Sequence, residues 1–238
     1  ILDTDFEGVK ASVKHSFYQH DNRNKEMQAI NEDRGFTPPT GSITDGETYD
    51  FSVVAGGSFQ NGKGHASMYL TYREIDAITK ANRDYTNCTL GAKSDGPRCG
   101  GSSTTPWGTF VVENEDRYLV SPDSGEFVPY DGEVYNYGPL NHIQRPDKNY
   151  TAGAFVNYDI SDSLQFYSEF MFMDNKTHAQ IAPTGNFYRT SDVNCDNPLL
   201  SANQVDIICT QFGYSGSDRA PLNFGRRNIE GGNRTATI

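Results

Sequence analysis

The chain has no run of apolar residues approaching the roughly 18 that a membrane-spanning helix needs. That excludes a helical membrane protein and leaves a membrane β-barrel open, whose signal per strand is much weaker. Hydrophobic residues are scarce as well: they make up 35% of the chain and mean hydropathy is -0.66, little for an ordinary packed core. Basic residues number 20 against 31 acidic ones, giving a net charge of -11 and a pI near 4.8. Nucleic acid as a partner is excluded, because phosphates require a basic footprint.

Chemistry-bearing motifs are missing too. The sequence holds no GxSxG, no HExxH, no P-loop and no GxGxxG after a strand. Its five histidines, His15, His20, His65, His142 and His178, are scattered, and three fall in or beside strands on no shared face. "DNRN" at 21–24 and "ENED" at 113–116 offer oxygen ligands but lack the spacing and glycine of an EF-hand, so they read as solvated loop faces. No catalytic residue, no metal and no cofactor are expected. The four cysteines form no CxxC and have no histidine at ligand spacing, which argues against zinc. They fall into two local pairs, Cys88 with Cys99 and Cys195 with Cys209, expected as loop-closing disulfides of an oxidising compartment. Four Asn-x-Thr sequons, at Asn87, Asn149, Asn175 and Asn233, read as chance matches in a chain rich in both residues.

What the chain does hold is alternation. In 149–175, Tyr150, Ala152, Ala154, Val156, Tyr158 and Ile160 share one face of a strand, and Leu164, Phe166, Ser168, Phe170 and Phe172 share one face of the next. Strands are expected at about 6–18, 48–60, 64–78, 149–160, 163–178 and 233–238. "QNGKG", with Asn-Gly at its heart, and "SDS" are the two tight turns. The other connections, 19–47, 79–148 and 179–232, are long and polar. Connections therefore alternate long and short, and the strands exceed the usual five or six residues. About ten tilted residues cross a bilayer, and membrane barrels carry short turns at one end and long loops at the other. Irregular loops of fifty residues are foreign to a compact soluble domain.

The expectation is an all-β fold, an antiparallel transmembrane β-barrel segment of about 5–6 strands with long, disulfide-braced extracellular loops. Tyr150, Val156, Tyr158, Phe166, Phe170 and Phe172 are then lipid-facing, while Asn157, Asp159, Gln165 and Glu169 face a polar lumen. Tyr49, Phe59, Tyr72 and Phe172, with Tyr150 and Tyr158, sit near strand ends where interfacial girdles belong. Trp107, Arg117, Tyr130, Tyr135, Tyr137 and Arg145, all in the longest loop, are the candidate ligand contacts. Neither end reads as a natural terminus: Ile1 opens without Met or signal, and "RTATI" reads as a strand just starting, so a larger protein is expected.

"NPLLSANQ" at 197–204, between Cys195 and Cys209, resembles an external-loop segment of TonB-dependent outer-membrane receptors of proteobacteria such as sphingomonads and caulobacters. "RRNIEGGNR" at 226–234 is similar to a loop leading into the next strand, and "DFEGVKASVKHSF" to the first barrel strands after the plug. The resemblance covers most of the chain. It implies a barrel of about 22 strands, occluded by an N-terminal plug. It also implies an outer-membrane location and uptake of a scarce bulky solute, whether iron chelate (siderophore), cobalamin or oligosaccharide. Uptake would be driven by TonB–ExbB–ExbD acting on an N-terminal part that this chain does not contain. The implied partners are outer-membrane lipid, the rest of the barrel and plug, and a small-molecule or oligosaccharide ligand. Two alternatives are a secreted all-β binding module or adhesin, and a secreted β-rich glycoside hydrolase using Glu169 and Asp174.

Overall fold

A computed structural model of the chain describes residues 6–237. Ile1 and Ile238, the outermost residues of the expected ends, lie outside them. Along the chain, β1 (Gly8–Asn22) leads through α1 (Lys25–Glu32) to β2 (Gly41–Phe59) and β3 (Gly64–Ile75). Short elements follow: β4 (Ile78–Thr79), β5 (Leu90–Lys93), β6 (Gly96–Cys99), β7 (Thr109–Val111), β8 (Arg117–Val120), β9 (Phe127–Pro129) and β10 (His142–Gln144). A second long hairpin, β11 (Asp147–Ser161) and β12 (Leu164–Gln180), precedes β13 (Gly185–Asn194), α2 (Ala202–Ile208), β14 (Arg219–Arg227) and β15 (Asn233–Thr237). Strand makes up 55% against 9% helix, and the ladders are antiparallel, so the fold is all-β.

The long strands form one meander, in the order β1-β2-β3-β11-β12-β15. Its two tight turns have the chemistry the sequence advertises. Gln60, Asn61 and Gly62 all take positive φ, which matches a turn to the right-handed twist of the flanking strands. Phe59 and Gly64 close that hairpin. A Cβ at Gly64 would lie 2.3 Å from the Phe59 ring, so the ring covers the glycine across the ladder. Gly153 does the same service on the opposite face, beneath Tyr69, where a Cβ would meet the ring at 2.2 Å.

Register decides which side chains share a face. Val13, Phe51, Tyr72 and Tyr150 form one row across β1, β2, β3 and β11. Rows of Ala11, Val53, Leu70, Ala152 and Phe172, then Val9, Ala55, Met68, Ala154 and Phe170, follow toward the turns. A last row holds Phe59, Gly64, Tyr158 and Phe166. The six expected lipid-facing residues all belong to this face. Ladder partners Tyr72 and Tyr150 pack at 4.9 Å with tilted rings near the loop end, and Phe59 and Tyr158, on either side of Gly64, stack at 5.9 Å near the turn end. Beyond Tyr72 the rows turn charged, with Lys148 bound to Glu74 at 2.9 Å. From Tyr150 to Tyr158 is about 26 Å along the strand.

This apolar face is bare. Val13, Phe51, Leu70, Phe170 and Phe172 are all exposed, Val13 at 77%. Of thirteen buried apolar side chains among the described residues, Phe155 alone belongs to the six-stranded sheet. Phe155 lies on the other face, against Tyr69. Glu169 shares that face, opposite Phe155, whereas Asp174 stands opposite Tyr150 on the apolar side. The sheet therefore separates the two carboxylates of the hydrolase alternative.

The connections depart from expectation. The stretches 19–47, 79–148 and 179–232 are not irregular loops. β1 and β2 run well into the first, and α1 occupies its middle, its Asn24 side chain accepting from the Met27 amide at 3.1 Å. The other two together build a five-stranded sheet, β13-β14-β7-β8-β9, with strands from both. It has its own core: Val112, Phe127, Ile207, Ile208, Ala220 and Leu222, with the Cys195–Cys209 bridge inside it. β7, β8 and β9, of three or four residues, give too little alternation to be visible in the sequence, and the longer β13 is interrupted by a register slip. Both disulfides join the local pairs, with Cα–Cα distances of 5.6 Å for Cys88–Cys99 and 5.9 Å for Cys195–Cys209.

A buried polar junction seats the cap on the strand ends. The Arg83 guanidinium holds the Asp45 carboxylate of β2 through both terminal nitrogens, at 2.9 and 2.6 Å. Asn22, ending β1, accepts from the Asp84 amide, and Asp84 in turn accepts from the Asn24 amide. Asn87 donates to Asn31 of α1 and to the Thr37 carbonyl. Polar groups removed from water need such partners, so this network fixes one arrangement of the first and second connections.

A candidate ligand site on the loop cap

Directly opposite residues on neighbouring strands point to the same side. In the cap sheet, Asn223 of β14 stands opposite Val111 of β7, and Val111 opposite Arg117 of β8. Tyr130, just past β9, donates its amide to the Arg117 carbonyl at 2.9 Å and so continues the row. Arg117 is exposed, and its guanidinium lies 5.9 Å from the centre of the Tyr188 ring.

Tyr188 reaches that position through an irregularity. The β13/β14 register slips between Asn186 and Arg189, and Tyr188 sits at φ 51°. A bulky residue in the left-handed region is costly, and bulges re-aim side chains out of the regular ladder. Here two consecutive rings are redirected. Tyr188 covers Gly225, where a Cβ would lie 3.4 Å from it, and donates to Ser103 Oγ at 2.8 Å. Phe187 lies 5.4 Å from the Arg227 guanidinium, whose other aromatic neighbour is Tyr135, at 4.9 Å.

Arg227 is only 7% exposed. Its Nε donates to the Thr104 carbonyl at 3.3 Å and its Nη1 to the Pro183 carbonyl at 2.6 Å. Arg34, from the connection after α1, donates to the Gly132 carbonyl at 3.1 Å. Among the described residues, none of Arg34, Arg117 and Arg227 pairs with a carboxylate, in a chain carrying eleven surplus negative charges. Burial pushes the Tyr130 phenol up, with the neighbouring Tyr188 adding to the effect while Arg34 and Arg117 oppose it. Three connections thus bring arginines and tyrosines together. A cleft of about 680 Å³ opens at the end of β14, lined by Asn186, Phe224, Arg226, Arg227 and Glu230 among others.

Of the six sequence candidates, Arg117, Tyr130 and Tyr135 join the arginine–tyrosine cluster, and none of the three lines the cleft. The other three do not join the cluster. Trp107 is exposed at the turn before β7 with no described partner, Tyr137 lends its carbonyl to Asn141, and Arg145 is exposed between β10 and β11. Residues not anticipated are Arg34, Phe187, Tyr188, Asn223 and Arg227. The pair of adjacent aromatics in "NFYRT" was the available signal, because a regular strand would send them to opposite faces.

Comparison with protein-family models, with characterised proteins and with solved structures returned no match.

Proposed function

We propose that this chain is part of an outer-membrane, TonB-dependent active transporter. In this reading the six-stranded meander is barrel wall, and the cap is the extracellular surface that gathers a scarce bulky solute. One observation carries it: a wide apolar face, edged by aromatic rows and buried against no other part of the described chain. Water-soluble proteins rarely leave so large an apolar patch bare. Lipid is the solvent for which such a face is suited: at usual tilt it is about 20 Å high, against the roughly 25 Å apolar band of outer-membrane barrels. Long connections gather at one end and two tight turns at the other, the arrangement of outer-membrane barrels. The outer edges of β1 and β15, unpaired among the described residues, are where the wall would continue. Plug, TonB box and the TonB–ExbB–ExbD drive belong to the rest of that assembly.

A secreted binding module is the second reading, favoured by the separately cored cap. It leaves the face of Val53, Leu70 and Phe170 unexplained. Fractionation of the producing cells decides between them. Recovery in the outer membrane, with extraction only by detergent, is the expected result; a soluble monomer without detergent would defeat the transporter reading.

A further inference from the structure

We infer that the cleft at the end of β14 receives an acidic saccharide, a sugar chain containing uronate units. The inference rests on the transporter reading only for the direction the cap faces. The cleft's chemistry has three parts. Arg226 and Arg227 are adjacent cations at its wall; Arg226 is exposed and spends Nε on the Pro106 carbonyl at 3.0 Å. Neither has a carboxylate partner among the described residues, and a guanidinium is shaped to take a carboxylate through two parallel hydrogen bonds. Acceptors come next: Glu230 and Asn186 line the same cleft. Asn186 Oδ1 is buried with no hydrogen-bond partner among the described residues. Buried polar atoms left without partners mark places where water or a ligand belongs. Phe224 supplies an apolar wall.

The combination selects among anions. A ligand satisfying only the arginines would meet Glu230 as a repelling charge. A uronate carries its carboxylate on one edge and hydroxyl donors on the others, with an apolar C–H face for an aromatic ring. The attraction of Arg226 and Arg227 for an anionic ligand is one that salt screens. The 680 Å³ volume is of the size that holds a ligand of several rings' bulk.

The test is calorimetric titration of the full-length protein in detergent with a tetra-uronate, a neutral tetrasaccharide of equal length, citrate and inorganic phosphate. Expected are binding of the tetra-uronate, affinity reduced at least tenfold by Arg226→Gln and several-fold by moving from low to high salt, and no comparable binding of the other three. Equal binding of the neutral sugar, of citrate or of phosphate overturns the inference, as does tetra-uronate binding indifferent to Arg226→Gln. A membrane-inserted protein that binds no uronate loses this inference alone. A protein soluble without detergent that binds uronate loses the transporter reading alone.

Discussion

Val156 and Asn157 are chain neighbours in β11 whose side chains leave the sheet on opposite sides. Val156 stands between Ala66 and Ser168 on the apolar face, Asn157 between His65 and Tyr167 on the other. If the apolar face meets hydrocarbon, a charge at Val156 must be desolvated, whereas one at Asn157 stays in a polar lumen. Val156→Arg is therefore expected to cost about 2–4 kcal/mol of folding into bilayers, and Asn157→Arg less than about 1 kcal/mol. Denaturant titration of barrel folding in lipid vesicles measures both. At the same scale, Tyr188 shows what a single residue can add. Its left-handed backbone breaks the β13 ladder and thereby delivers two rings to two arginines.

Elements divide into those visible in the sequence and those hidden from it. The long strands could be read because ten or more alternating residues repeat one pattern, and the turns because Asn-Gly has few other uses. The cysteine pairs were legible from their short separations. The cap sheet was not, since β7, β8 and β9 hold three or four residues each and join β14 only through a distant pairing, Val111 with Asn223. "NPLLSANQ" shows how a stretch can carry a local structural role that its resemblance does not describe. It carried a family resemblance, yet its physical role is local: Ser201 and Gln204 form the capping box that starts α2. α2 then buries Ile207 and Ile208 beside the Cys195–Cys209 bridge. Removing that bridge by Cys195→Ser with Cys209→Ser frees a closed loop and is expected to lower cap stability by roughly 3 kcal/mol. Amide exchange should then quicken in β13, β14 and α2 while β11 and β12 stay protected. Uniform acceleration across the chain would show that cap and wall fold as one unit.

Among the described residues the buried apolar core lies in the cap and the broadest apolar surface on the six-stranded sheet, an inversion that the proposed transporter would turn toward lipid. That inversion is the central claim, and spin labels report on it directly. One introduced cysteine at a time from 151 to 159, labelled with a nitroxide in the protein reconstituted into liposomes, gives collision rates with oxygen and with an aqueous nickel chelate. Oxygen contact should dominate at positions 152, 154, 156 and 158, and nickel contact at 151, 157 and 159. Matching accessibility to the nickel chelate on both faces would contradict the account.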